Sequence, residues 1–192
     1  MSVTKTKEET APISKIKIVS LGESRVGKSC LIKRFCEGSR FVSQYIPTIG
    51  IDYGARQFTV DNIQFYAHFW DMSGDDSYFE VRNEFYGDTD GFLIVFDMSS
   101  RESFTQLGRW LDEAKRYGAD VSLAVLCGNK CDSPKLAVSA QEATEYAQKL
   151  GIPFFETSAK SGKNVPESFS QLFRAIMSRI RNQARGTTPN KK

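Results

Sequence analysis

Histidine is almost missing from this chain of 192 residues; His68 is the only one. It lies inside an alternating strand pattern, Ile63 to Trp70, so it reads as structural rather than catalytic. Four cysteines, Cys30, Cys36, Cys127 and Cys131, show no paired zinc-ligand spacing and read as reduced thiols of a cytosolic protein. No cysteine follows Cys131, and Ser2 rather than glycine follows Met1, so a prenyl or myristoyl anchor is not expected. Net charge is small: 26 Lys and Arg against 23 Asp and Glu leave +3, too little to argue for a nucleic-acid partner. No apolar run approaches the roughly 20 residues of a membrane span, and no signal peptide opens the chain. A soluble, cytoplasmic, monomeric protein is the expectation. There are no internal repeats. What remains is ordinary: 40% hydrophobic and 26% charged residues, in a length that suits one domain with a sizeable core.

Residues 1–14 are polar and charged and read as a flexible arm, and 183–192 read as a flexible tail. Between them, over 15–182, strand and helix patterns alternate. That order argues for a mostly parallel sheet with helices on both faces. Asp61-Asn62 between two strand patterns predicts a hairpin, and hence one antiparallel edge strand. A helix is expected over Ser103–Tyr117, with Phe104, Leu107, Trp110, Leu111 and Ala114 on its buried face. Its Arg109, with Arg101 and Arg116 nearby, reads as part of a solvated face. Ser139 with Glu142 reads as a capping box opening a helix that Gly151 ends. Asn164-Val165-Pro166-Glu167 opens the last helix.

The strongest local signal is Gly22-Glu23-Ser24-Arg25-Val26-Gly27-Lys28-Ser29, which fits G-x-x-x-x-G-K-[ST]. An apolar strand pattern, Ile16 to Leu21, precedes it, and a helix pattern starting at Cys30 follows. A strand that runs through a glycine-rich turn into a helix rings one anion with backbone N–H groups. Lys28 can then reach the outer phosphates of a nucleoside triphosphate, and the Ser29 hydroxyl can bind Mg2+. A second signal, Asn129-Lys130-Cys131-Asp132, follows the strand pattern of Leu123 to Gly128. The Asp132 carboxylate can accept from both the ring N–H and the exocyclic amine of guanine; adenine offers no such pair. The stem of Lys130 can cover one face of a base. Ser158-Ala159-Lys160 follows a third strand pattern, and the N–H of Ala159 suits the guanine carbonyl oxygen.

Two further segments complete the set: Asp71-Met72-Ser73-Gly74, a D-x-x-G, and Tyr45 to Tyr53. Together these motifs resemble, in order and spacing, the small GTPases of the Ras superfamily, above all its Rab branch. The likeness extends from about Lys15 to about Arg181. The run Thr48 to Gly54, with Phe79 to Tyr86, is most similar to the RJL subgroup of Rab-like GTPases; some of its members carry a C-terminal J domain, which these residues do not contain.

The resemblance implies an α/β fold, a Ras-like P-loop G domain with a mostly parallel six-stranded sheet, one antiparallel edge strand and helices on both faces. It implies GTP and GDP as ligands, with Mg2+. The expected nucleotide contacts are Glu23, Ser24, Arg25, Val26, Gly27, Lys28, Ser29, Cys30, Phe41, Tyr45, Thr48, Gly74, Asn129, Lys130, Asp132, Ser158, Ala159 and Lys160. Phe41 matches the aromatic that packs on the guanine edge in relatives, its rival role being a core phenylalanine. The expected metal ligands are Ser29, Thr48 and, through water, Asp71. Lys28, Thr48, Gly74 and Asp75 stand where hydrolysis is controlled. By resemblance Thr48 and Gly74 also meet the γ-phosphate, so its loss should release both loops. Effector proteins are expected on Tyr45–Tyr53, Trp70 and Gly74–Tyr86, where Tyr53, Trp70 and Phe85-Tyr86 match a partner-facing aromatic patch of Rab proteins. An exchange factor and an activating protein are the expected regulators.

Three departures bear on activity. The family's water-orienting Gln after D-x-x-G is replaced by Asp75, a carboxylate that offers no amide N–H and repels the γ-phosphate; very slow intrinsic hydrolysis follows. Arg25 replaces a small residue of the phosphate loop and either faces solvent or reaches the phosphates or Asp75. The prenylated C-terminal cysteines usual in Rab proteins are missing. Two functional classes remain open: a weak GTPase completed by an activating protein, and a GTP-loaded binding scaffold regulated by exchange or abundance. A P-loop ATPase or kinase is disfavoured by Asn129-Lys130-Cys131-Asp132.

Overall fold

The apolar runs of the sequence become the strands of one sheet in the computed structural model, which describes residues 14–38 and 44–186. Strands β1 (Ser14–Leu21), β2 (Ile51–Val60), β3 (Ile63–Met72), β4 (Gly91–Asp97), β5 (Ala124–Asn129) and β6 (Phe154–Glu156) lie in the order β2-β3-β1-β4-β5-β6. Strands β4 and β5 are buried at every position, as expected of strands covered on both faces. Only β2 runs antiparallel, to its neighbour β3; the other pairings are parallel. Asp61 (φ 50°) and Asn62 (φ 64°) make the expected hairpin turn, both left-handed, which matches the twist of the flanking strands.

Helices cover both faces. Against one lie α1 (Lys28–Glu37) and α6 (Val165–Gly186), whose Leu31, Phe169, Leu172, Phe173 and Ile176 pack on Ile16, Ile18, Phe65, Leu93 and Val95. Phe35 stacks on Phe169 with ring centroids 4.1 Å apart. The other face carries α3 (Arg101–Thr105), α4 (Leu107–Arg116) and α5 (Ala140–Leu150), packed on Val19, Leu21, Phe92, Ile94 and Phe96. A short α2 (Phe79–Asn83) follows a 3-10 turn at Asp76–Tyr78. Among the described residues no helix is long and apolar enough to cross a membrane.

Three local expectations are corrected. The helix expected over Ser103–Tyr117 starts two residues earlier, because Ser100 caps it through the Ser103 N–H, and it is broken at Gln106 into α3 and α4. The capping box at Ser139 is half made: Ser139 accepts from the Glu142 N–H, but the Glu142 carboxylate turns to Arg101, taking two hydrogen bonds of 2.6 Å each. The last helix runs on to Gly186, past the boundary expected at 182. Residues 1–13 of the expected arm and 187–192 of the expected tail lie outside the described residues.

Parallel strands put their carboxyl ends on one edge. Ser20 stands beside Asp71, and Asp97 beside Asn129. Every motif singled out above leaves the sheet at that edge, where ligands of open α/β sheets bind.

Candidate functional site

The turn after β1 is built on two glycines that nothing else can replace. Gly22 has φ 135°, and a Cβ there would lie 2.1 Å from the Val95 carbonyl oxygen. Gly27 has φ 97°, and a Cβ would lie 2.3 Å from the Asn129 amide nitrogen. Helix α1 starts at the next residue with no side-chain cap, so its first N–H groups remain available to an anion. Lys28 is buried and curls back on the turn, donating to the carbonyls of Gly22 (2.6 Å) and Glu23 (2.9 Å). Burial lowers its pKa to about 8, against the opposing pull of Asp71 and Glu23. A buried ammonium whose hydrogen bonds go to carbonyls, with the Trp110 ring 6.0 Å away, can exchange those carbonyls for phosphate oxygens.

Beside it three oxygen donors converge. The hydroxyls of Ser29 and Thr48 lie 3.0 Å apart, and the buried Asp71 accepts from Ser20 at 2.8 Å. Burial raises the Asp71 pKa, while a hydrogen bond from Ser29, the Lys28 charge and the Ser20 bond pull it down. Two hydroxyls and one buried carboxylate are hard oxygen ligands of the kind that suit Mg2+. No group of three His, Cys, Asp or Glu that could hold a metal occurs among the described residues, so protein ligands alone form no metal cage.

The two later loops are tied to the first by Asn129. Its amide donates to the Val26 carbonyl at 2.8 Å and accepts from the Ala159 N–H at 3.1 Å. The Ala159 N–H expected to face a base is thus engaged by Asn129 here. Lys130 adopts φ 59° and pairs with Asp97 at 2.6 Å. Ser158 is buried and accepts from the Ser161 N–H, while Asp132 and Lys160 are exposed. Phe41 lies outside the described residues.

The D-x-x-G loop sits directly on the phosphate turn. A Cβ on Gly74 would lie 2.2 Å from the Ser24 nitrogen and 2.3 Å from the Glu23 carbonyl carbon. Asp75 does not point into the site as a free carboxylate. It caps the following 3-10 turn, accepting from the Ser77 N–H (2.9 Å) and hydroxyl (2.8 Å), and these bonds lower its pKa.

Beneath the loop lies a network that sequence reasoning missed. Arg82 is fully buried and forms a fork with Glu113 (3.0 and 3.2 Å), which also accepts from the Tyr86 hydroxyl at 2.6 Å. The remaining guanidinium nitrogen holds the carbonyls of Ser73 and Asp75, and the group lies 4.6 Å above the Trp110 ring. Arg109 is no bystander on a solvated face: it bridges Glu23 of the phosphate turn (3.0 Å) and Asp76 (2.9 Å), and the Trp110 N–H joins Glu23 at 2.9 Å. The signal was weak but present: Glu113 stands three residues after Trp110, beside the apolar stripe of α4.

Of the expected aromatic patch, Tyr53, Trp70 and Phe85 form a row with centroid spacings of 4.8 Å. Tyr53 also hydrogen-bonds His68 Nδ1 at 2.6 Å, giving the lone histidine a structural part. Tyr86 is not in the patch; it is fully buried on Glu113. Arg25 meets neither plain solvent nor Asp75: its guanidinium lies over the Tyr45 ring, 5.3 Å from the centroid.

Comparisons with known proteins agree with this geometry. A sequence profile described as the Ras family matches residues 17–178. Among curated proteins the chain is similar to DnaJ homolog subfamily C member 27 of Danio rerio, 41% identical over 181 residues, which cover 91% of this chain and 66% of that protein. It is likewise similar to the Mus musculus protein of that name, 39% identical over 188 residues (95% of this chain, 68% of that protein), and to the Homo sapiens one, 39% identical over 182 residues (92% and 66%). The chain thus spans about two thirds of the length of these relatives.

Proposed function

The chain belongs to the Ras family of small GTPases, and from that premise we propose a guanine-nucleotide switch that binds Mg2+ with its ligand, hydrolyses GTP very slowly by itself and offers its loops to protein partners. One observation carries the reading: Lys28, Ser29, Thr48, Asp71 and Asn129, from four separate segments of the sequence, converge at one edge of the sheet on a turn shaped for an anion. Backbone N–H groups from Glu23 to Cys30 would hold the phosphates, Lys28 would neutralise the outer ones, and Ser29, Thr48 and, through water, Asp71 would hold the cation. Mg2+ supplies charge neutralisation between phosphate oxygens when bound. The exposed Asp132 selects guanine through the paired donors of its edge.

Slow hydrolysis follows from Asp75. Its carboxylate is occupied by Ser77 and lacks an amide donor with which to orient water. The same observation favours a second reading, a GTP-loaded scaffold controlled by exchange or abundance. Partner proteins would meet exposed Ile46 and Ile49 together with the row Tyr53, Trp70 and Phe85. Competition binding with GTP, GDP and ATP tests the ligand; displacement by ATP at equal concentration overturns it. Single-turnover hydrolysis by the parent and by Asp75→Gln tests the rest. The parent should be the slower, and a parent as fast as the glutamine variant would sink the argument. Mostly GTP on the purified protein supports the scaffold; mostly GDP supports the enzyme.

A further inference from the structure

Arg25 stands in the left-handed region at φ 66°, a conformation that costs a residue with a Cβ. Its side chain is exposed, so core packing does not account for it. What it does make is a cation–π contact with Tyr45, 5.3 Å from guanidinium to ring centroid. Among the described residues, the loop that carries Tyr45 has little else to hold it by apolar burial. Tyr45 is 48% exposed, Ile46 76% and Ile49 79%. Its other ties are polar: Thr48 to Ser29 at 3.0 Å, and the Gly50 carbonyl to the Ser73 N–H at 2.8 Å. Pro47 lies between Tyr45 and Thr48 and fixes its own φ, so a displacement of the ring is passed to the hydroxyl.

We propose that Arg25 is a positioning residue that latches Tyr45, and through it Thr48, onto the phosphate turn and so slows the release of bound guanine nucleotide. The effect on release rests on the nucleotide reading above; the latch is a property of the chain alone. An exposed cation–π contact corresponds to a change of about 2- to 5-fold in a rate or equilibrium.

The test follows release of a fluorescent N-methylanthraniloyl GDP from the full chain. Arg25→Gly and Tyr45→Leu should each release it about 2- to 5-fold faster. In the Tyr45→Leu background, Arg25→Gly should add nothing; in the Tyr45→Phe background, which keeps a ring, it should still accelerate. Parental release in Arg25→Gly, or an equal effect in both backgrounds, overturns the proposal. Arg25→Gly relieves the backbone strain, so its thermal midpoint without nucleotide should equal or exceed the parent's while its loop loosens; a general loss of fold instead lowers the midpoint and raises exchange throughout the chain. Hydrogen exchange of the 44–50 amides without nucleotide reads the latch directly. It should rise in Arg25→Gly, and unchanged exchange also overturns the proposal. If the parent retains no GDP, the proposed function fails and the exchange measurement alone decides the latch.

Discussion

Glu113→Ala should be among the most damaging single changes in this molecule, although Glu113 lies in no motif. Its carboxylate takes two hydrogen bonds from Arg82 and one from Tyr86, and Arg82 has no solvent exposure. Truncation leaves two guanidinium donors unpaired in the interior, with Asp76 a remaining counter-charge at 3.9 Å, and breaking a buried pair costs about 3–5 kcal/mol. The orphaned Tyr86 hydroxyl adds about 1–3 kcal/mol if no water replaces the carboxylate. The carbonyls of Ser73 and Asp75 still hold one nitrogen of the guanidinium, so the lower end of the combined range, about 4 kcal/mol, is expected. With a urea dependence of about 2 kcal/mol per molar, the unfolding midpoint falls by about 2 M. The control is the double variant Arg82→Met/Glu113→Leu. It removes charge and counter-charge together and should recover most of the loss, because an apolar replacement of a buried pair is often neutral. A loss below about 1 kcal/mol in Glu113→Ala, or a double variant as unstable as the single one, refutes the assignment of this pair as a buried, mutually dependent unit.

Two shorter predictions concern the site itself. Lys28→Met should stabilise the nucleotide-free protein while removing triphosphate binding. The folded pKa of about 8 lies below the ordinary 10.5, so the folded state disfavours the charged form at neutral pH by up to about 3 kcal/mol. That penalty is whole below pH 8 and fades as pH rises toward 10.5, so the variant's advantage over the parent in chemical denaturation should shrink over that window; an advantage that grows with pH sinks the sign argument. Gly74→Ala should push the 73–78 loop off the phosphate turn, because the new Cβ meets backbone atoms of Glu23 and Ser24 that cannot step aside. Faster hydrogen exchange over 73–78 in a protein that stays folded is the expected signature. Unchanged exchange there means that the loop does not rest on the turn.

Much of this was legible in the sequence, for physical reasons that differ by region. The sheet announced itself because β4 and β5 are without a polar side chain up to their last residues, Asp97 and Asn129, and Asp61-Asn62 accepts the left-handed turn that a tight hairpin needs. The phosphate turn was legible because only glycine fits at Gly22 and Gly27. What stayed hidden is what depends on partners remote in sequence. Glu113 and Arg82 are 31 positions apart, and each reads alone as an ordinary surface charge. Arg109 reaches 86 positions back to Glu23 for the same reason. The helix break at Gln106 and the diversion of Glu142 to Arg101 are local choices settled by tertiary contacts, which periodicity does not encode. Tyr86 illustrates the limit most simply: adjacent to Phe85, it faces the opposite way, into the core.

The site is also marked by a concentration of costs that no ligand-free function would maintain. Lys28 and Asp71 are both buried, and desolvation shifts each toward its neutral form, the lysine downward and the aspartate upward. Arg25 bears a left-handed backbone, and Gly22 and Gly27 forgo side chains to keep the turn open. In a purely structural turn each of these would be a defect to be replaced: an aliphatic for the lysine, an amide for the aspartate, a glycine for the arginine. A polyanion paired with a divalent cation relieves the two charged defects at once, since the anion restores the ammonium and the cation restores the carboxylate. Neither ion alone does so, because each would leave one buried charge facing its like. The physical cost of these residues therefore favours joint binding of phosphate and metal, and nucleotide affinity should fall when the cation is withdrawn.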